Sequence, residues 1–141
     1  MQHRHAVLLI EDHDDLRDAF VALATTHGLD PVACCDGREA LTRLENGLRP
    51  CLILLDLGMP GMNGLAFRQE QLKNPDLADI PVAVISGTGR FAEKQAEMLG
   101  LTRFLRKPID ITELLQLFAD HCGAAPQICP PEEPPFARKM S

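Results

Sequence analysis

Residues 51–64, Cys-Leu-Ile-Leu-Leu-Asp-Leu-Gly-Met-Pro-Gly-Met-Asn-Gly, decide how this chain folds. An apolar run leads without interruption into one acid, Asp56, and then into glycines and a proline. A strand that is apolar at every position must be covered on both faces, as in a parallel sheet packed between helices. Ligands of such sheets gather at the carboxyl ends of the strands, so this run delivers its carboxylate to where chemistry takes place.

Two more runs have the same character. Residues 6–10 end in Glu11 and Asp12, and residues 82–86, opened by Pro81, end in Ser86. Shorter stretches at 31–35 and 103–106 complete a set of strands. Helical patterns separate them. The first has Asp14 or Asp15 as a cap, a stripe of Leu16, Phe20, Leu23 and His27, and Gly28 as its stop. Asp36-Gly37 turns into a second helix that runs to Asn46-Gly47, with Ala40, Leu41 and Leu44 facing inward. A third covers 65–73 and ends near Asn74-Pro75, because proline disfavours helix at the residue before it. The fourth, 91–99 with Gly100 as its cap, has only Ala92, Ala96 and Leu99 as an apolar stripe, and is expected to be among the easier elements to displace. The last covers 112–121 and packs Leu114, Leu115 and Phe118.

Strand followed by helix, repeated through the chain, predicts a doubly wound α/β fold of the (βα)5, flavodoxin-like type, a three-layer sandwich. The most apolar strands, first, third and fourth, belong in the centre, which gives the sheet order 2-1-3-4-5. Residues 1–122 form the domain. Residues 123–141 are proline-rich and aperiodic, a tail or linker expected to be disordered.

Composition narrows the function. The chain has 141 residues, 45% of them hydrophobic, a formal charge of -6 and a pI near 5.3. That balance argues against nucleic-acid binding by a basic surface, which depends on neutralising phosphates. There is no apolar run long enough to span a bilayer and no signal-peptide pattern, so a cytoplasmic protein is expected. Cys34, Cys35, Cys51, Cys122 and Cys129 form no C-x-x-C pair, and all are expected to be reduced thiols, several of them core filler. His3, His5 and His13 near the terminus are taken as solvated, not as a metal patch.

The chemistry lies in a combination. Glu11, Asp12, Asp56, Ser86 and Lys107 each follow a predicted strand and so share one edge of the sheet. Clustered carboxylates repel, and a fold built only for stability gains nothing from them. A hard divalent cation removes the repulsion, and magnesium is held by one or two carboxylates while leaving positions for water and phosphate. Asp56 is then a carboxylate able to attack a phosphoryl group, with the cation and a lysine spreading the charge.

These residues, in the settings Glu-Asp, Leu-Leu-Asp-Leu-Gly-Met-Pro-Gly-Met-Asn-Gly, Val-Ile-Ser-Gly and Phe-Leu-Arg-Lys-Pro, resemble the CheY-like receiver domain of bacterial response regulators over residues 6–122. The spacings of Asp12 from Asp56 and of Ser86 from Lys107 are also similar. The resemblance implies Asp56 as phosphoacceptor and Mg2+ as cofactor, held by Asp12, Asp56 and the Gly58 carbonyl, with Glu11 acting through water. It implies Ser86 and Lys107 as partners of the phosphoryl oxygens, Ser86 and Phe104 as switch residues, and a cis peptide at Lys107-Pro108. It also implies a sensor histidine kinase or histidine phosphotransfer protein as donor, and an output face of fourth helix, fifth strand and fifth helix, open to a target or to a second copy in a homodimer.

The departures are informative. Glu11 stands where the family more often has Asp. Gly58 removes a side chain that often meets the water attacking the phosphoaspartate, so slow self-dephosphorylation is expected, and Phe104 has no hydroxyl with which to bond a partner. Three rivals are weaker. A haloacid-dehalogenase-type phosphatase would need an acid at position 58. The glycines at 58, 61 and 64 have the wrong spacing for a dinucleotide site. A receiver-shaped module that takes no phosphate has no use for so complete a set of acids, hydroxyl and lysine.

Overall fold

The computed structural model describes residues 5–57, 64–87 and 90–122. In chain order the elements are β1 (Ala6–Ile10), α1 (Asp14–Thr26), β2 (Asp30–Cys34), α2 (Gly37–Glu45), β3 (Leu52–Asp56), α3 (Gly64–Lys73), β4 (Val82–Ser86), α4 (Arg90–Met98), β5 (Phe104–Arg106) and α5 (Ile111–Cys122). All strand pairs are parallel, and the order is β2-β1-β3-β4-β5. The doubly wound, flavodoxin-like architecture expected from the apolar runs is the one observed. Among the described residues no helix is long and apolar enough to cross a membrane.

The central strands are apolar throughout because each supplies both faces of the sheet. Val7 and Leu9 of β1 join Leu52 and Leu54 of β3 beneath α1 and α5, where Phe20, Ala24, Leu114, Leu117 and Phe118 complete a core. Leu8 and Ile10, with Ile53 and Leu55, face Ala40, Leu44, Phe67 and Ala96 on the other side. Full burial of each such leucine or isoleucine contributes about 1.5–3 kcal/mol, so both layers hold the strands firmly. Phe20 and Phe118 meet edge to face at 6.0 Å, tying α1 to α5.

Four local details differ from the sequence reading. The cap of α1 is His13, whose ring accepts from Leu16 N at 3.4 Å, in place of Asp14 or Asp15, which occupy the first turn and suit the helix dipole there. Strand β2 begins at Asp30, one residue early, because Asp30 N bonds His5 O. Helix α3 buries two polar residues. Gln71 donates to Leu77 O and Ile80 O and accepts from Arg68 Nη1, while Arg68 Nε reaches Leu99 O at 3.0 Å across to the end of α4. Finally, the expectation that all cysteines are reduced is overturned. Cys51 and Cys122, with Cα atoms 5.6 Å apart, form a disulfide, since the fold brings the entry of β3 beside the end of α5. Cys34 and Cys35 are free, and Cys129 and the rest of the tail lie outside the described residues.

Gly64 is required by a close approach. A Cβ built there would stand 2.7 Å from the backbone oxygen of Asp56 and 3.1–3.2 Å from Leu57 and Leu55 side-chain atoms. Helix α3 thus starts in direct contact with the end of β3. Gly64→Ala is expected to destabilise the domain by roughly 1–3 kcal/mol, as overpacking against backbone does, measured by urea unfolding. A change below about 0.5 kcal/mol would show that the contact relaxes freely.

Candidate functional site

The sheet ends put five side chains together. Glu11 directly follows β1, and its backbone N–H continues the pairing with β2 by donating to Cys34 O at 3.0 Å. Asp56 closes β3 and Ser86 closes β4, and all three are buried. Lys107 follows β5. Its N–H donates to Ser86 O at 2.9 Å, and the Lys107–Pro108 peptide is cis, as the resemblance implied. Asp12, exposed, completes an acidic group with Glu11 and Asp56 in which one carboxylate oxygen from each lies within 4.8 Å of the others.

Lys107 is the cation of this group. Its Nζ stands 3.5 Å from Asp56 Oδ2 and 3.6 Å from Glu11 Oε1. One ammonium against three carboxylates leaves an excess of negative charge, and Glu11 registers it. Burial first, then the neighbouring Asp56 carboxyl, push Glu11 from 4.5 up to about 7, against the opposing effects of Lys107 and of the His13 N–H. Glu11 Oε1 is buried and accepts no hydrogen bond, whereas Oε2 accepts from His13 N at 3.2 Å.

Supporting contacts hold the β1 end in place. Arg17 donates to Glu11 O at 2.9 Å and pairs with Asp14, so one turn of α1 is bonded to the acidic loop. This role for Arg17 was not anticipated; its only sequence signal is the three-residue spacing from Asp14. Phe104, at the start of β5 in register with Val84, is half-buried against the core layer under α2, α3 and α4. Of the residues expected in the site, Gly58 alone lies outside the described residues.

A profile of the response regulator receiver domain matches residues 7–119. The chain belongs to that family, the signalling domains of two-component response regulators. It is 29% identical over 121 residues to an uncharacterized 14.6 kDa protein of Leptolyngbya boryana, covering 85% of this chain and 92% of that one. It is 31% identical over 110 residues to the DNA-binding dual master transcriptional regulator RpaA of Synechocystis, covering 77% of this chain. It spans 45% of the length of RpaA, less than half of that regulator. Among solved structures, a response regulator receiver protein from Pseudomonas putida superposes with a TM-score of 0.78 at 28% identity, covering 85% of this chain and 99% of that one.

The raised Glu11 pKa has a signed consequence for the metal-free chain. Folded Glu11 keeps its proton up to about pH 7, whereas an unfolded glutamate releases it near 4.5, so the folded state binds more protons between those values. The stability this contributes is complete below pH 4.5 and is lost as pH rises through 7. In chelator, the melting temperature is expected to fall by on the order of 5 °C more in the wild type than in Glu11→Gln between about pH 5 and pH 7.5. Parallel profiles for the two proteins would exclude Glu11 as the source.

Proposed function

We propose that Asp56 accepts a phosphoryl group from a phosphohistidine on a sensor histidine kinase or histidine phosphotransfer protein, and that the modification changes a protein-binding surface. The observation that carries this reading is the setting of Asp56, a buried carboxylate at the end of a central strand, 3.5 Å from an ammonium and grouped with two further acids. An Asp56 carboxylate oxygen forms the bond to phosphorus as the phosphorus–nitrogen bond breaks, and the imidazole keeps the electron pair. Lys107 remains charged and pairs with a phosphoryl oxygen. Ser86, on the adjoining strand, supplies a hydroxyl that donates to another.

The donor set fits magnesium. It offers hard oxygens with excess negative charge and a buried Glu11 oxygen that accepts no hydrogen bond. Asp12 and Asp56 would hold the ion directly and Glu11 through water, with the Gly58 carbonyl expected from sequence alone. Bound there, magnesium offsets the carboxylate charge and polarises the phosphoryl oxygens.

The output surface in this reading is α4, β5 and α5, which recognises a downstream protein or a second copy of the chain. Its elements are joined by two ion pairs, Arg106 with the largely buried Glu93 at 3.0 Å and the exposed pair of Arg103 with Asp120 at 3.3 Å. The exposed pair contributes about 0–1 kcal/mol, so that contact is given up at low cost. Ser86 and Phe104 link the phosphoryl group to it by moving in concert, and phosphorylation biases an equilibrium between two shapes. Gly58 brings no side chain to the water that hydrolyses the phosphoaspartate, so self-dephosphorylation is slow.

Incubation with a small acyl phosphate and magnesium is expected to add one phosphoryl group by mass spectrometry, and Asp56→Asn is expected to take none. Label retained by that variant, or none in the wild type with either a small donor or a phosphohistidine protein, overturns the reading in favour of a module that works without phosphate. Addition of magnesium is expected to raise the melting temperature of the wild type and to leave Asp12→Asn unchanged.

Ser86→Ala is expected to be phosphorylated without the accompanying spectral or partner-binding change. A normal response from that variant removes Ser86 from the relay. A phosphorylated half-life of only seconds would refute slow dephosphorylation.

A further inference from the structure

The Cys51–Cys122 bridge has no part in the phosphorylation site. Cys51 precedes β3 at the end opposite Asp56, and the length of that strand separates the two by roughly 17 Å at about 3.3 Å per residue. Cys122 is the last residue of α5 and is buried in the layer formed by Phe118, Leu117 and the sheet, whereas Cys51 is only half-buried at its margin. The bridge therefore ties the terminus of one helix to the entry of a central strand, across 71 residues of sequence.

Both states of the pair are accommodated. Cys51 Sγ also lies 3.3 Å from Ala6 O, so the reduced thiol has an acceptor in place, and Cys51 N donates to the same carbonyl at 2.8 Å. Reduced Cys122 packs as a small apolar residue among leucine and phenylalanine. The other described thiols are poor competitors. Burial pushes Cys34 up to about 11, and a hydrogen bond to Glu39 raises Cys35 although it is exposed.

We propose that Cys51 and Cys122 form a reversible redox latch on the end of α5, a second input to this domain that is separate from Asp56. Its reactant is a thiol–disulfide couple, either a small thiol or the dithiol of an oxidoreductase. In the reducing direction an incoming thiolate attacks Sγ of Cys51, the less buried of the two cysteines, and forms a mixed disulfide. The Cys51–Cys122 bond breaks with its electron pair on Cys122 Sγ, which takes up a proton. A second thiol attacks the mixed disulfide, frees Cys51 as a thiol and leaves as the oxidised couple. Two electrons pass to the protein; the oxidising direction reverses each step. The latch constrains the chain where α5 ends, so its closure orders the last turn of α5 and raises stability.

The test equilibrates folded full-length protein carrying Cys129→Ser in mixtures of reduced and oxidised glutathione, without denaturant. The bridged fraction is then read by thiol alkylation and mass spectrometry. The expected result is a reversible titration reaching the same fraction from either direction. The bridged form is expected to melt on the order of 10 °C higher. Backbone amides of the last turn of α5 are expected to exchange at least about tenfold faster once the bridge is open, and Cys51→Ala is expected to show the open behaviour in every mixture. A pair that stays reduced in oxidised glutathione alone, a bridge that opens only on unfolding, or equal exchange in the two states would each overturn the proposal.

Discussion

Among the described residues, three carboxylates with one oxygen each within 4.8 Å of the others, set against one ammonium, form the constraint on which the rest of the structure depends. In water such a group would disperse. Here the strands cannot move apart, because their side chains are buried on both faces, and Lys107 is held at the β4 edge by the bond from its N–H to Ser86 O. The sheet converts hydrophobic burial into electrostatic tension at one of its ends. The raised pKa of Glu11, set by burial first and then by the Asp56 carboxyl, follows from that conversion and exceeds what Lys107 offsets. A site assembled this way carries an excess of negative charge that a bound divalent cation would relieve.

Most of the fold was legible in the chain because the strands state their environment directly. Leucine, isoleucine and valine at consecutive positions leave no solvent face, and glycine, proline and acids mark where each run stops. The acids, Ser86 and Lys107 could be grouped for the same reason, since each ends a strand and strand ends share one side of a parallel sheet. What escaped the reading depends on tertiary neighbours. Arg68 and Gln71 look like the solvent face of a helix, yet they fold inward to satisfy the carbonyls of Leu77, Ile80 and Leu99. Pairing of Cys51 with Cys122 follows from where α5 ends relative to β3, a distance that cysteine spacing does not encode. Gly64 could be read as part of a turn, but not as the point where α3 touches the oxygen of Asp56.

Family membership and geometry contribute different things. The match to receiver domains places the chain in two-component signalling. The geometry adds what is particular to this chain, a buried glutamate at position 11, a cis peptide before Pro108, and Arg17 bonding the loop that carries the acids. It also places the disulfide at the end of β3 remote from those acids.

The bond from Arg68 to the Leu99 carbonyl makes the fourth helix an unequally tethered beam. At its carboxyl end the buried guanidinium of Arg68 would lose one acceptor if the contact broke, a cost of about 1–3 kcal/mol, while its bond to Gln71 remains. Toward its amino end Glu93, whose side chain is largely buried, accepts from the exposed Arg106 at 3.0 Å. Among the described side chains, polar contacts thus tie the helix to α3 at one end and to β5 nearer the other. In the reading proposed above, a displacement of α4 driven by phosphorylation of Asp56 would turn the helix about Leu99, where it is bonded to α3, and not slide it along its axis.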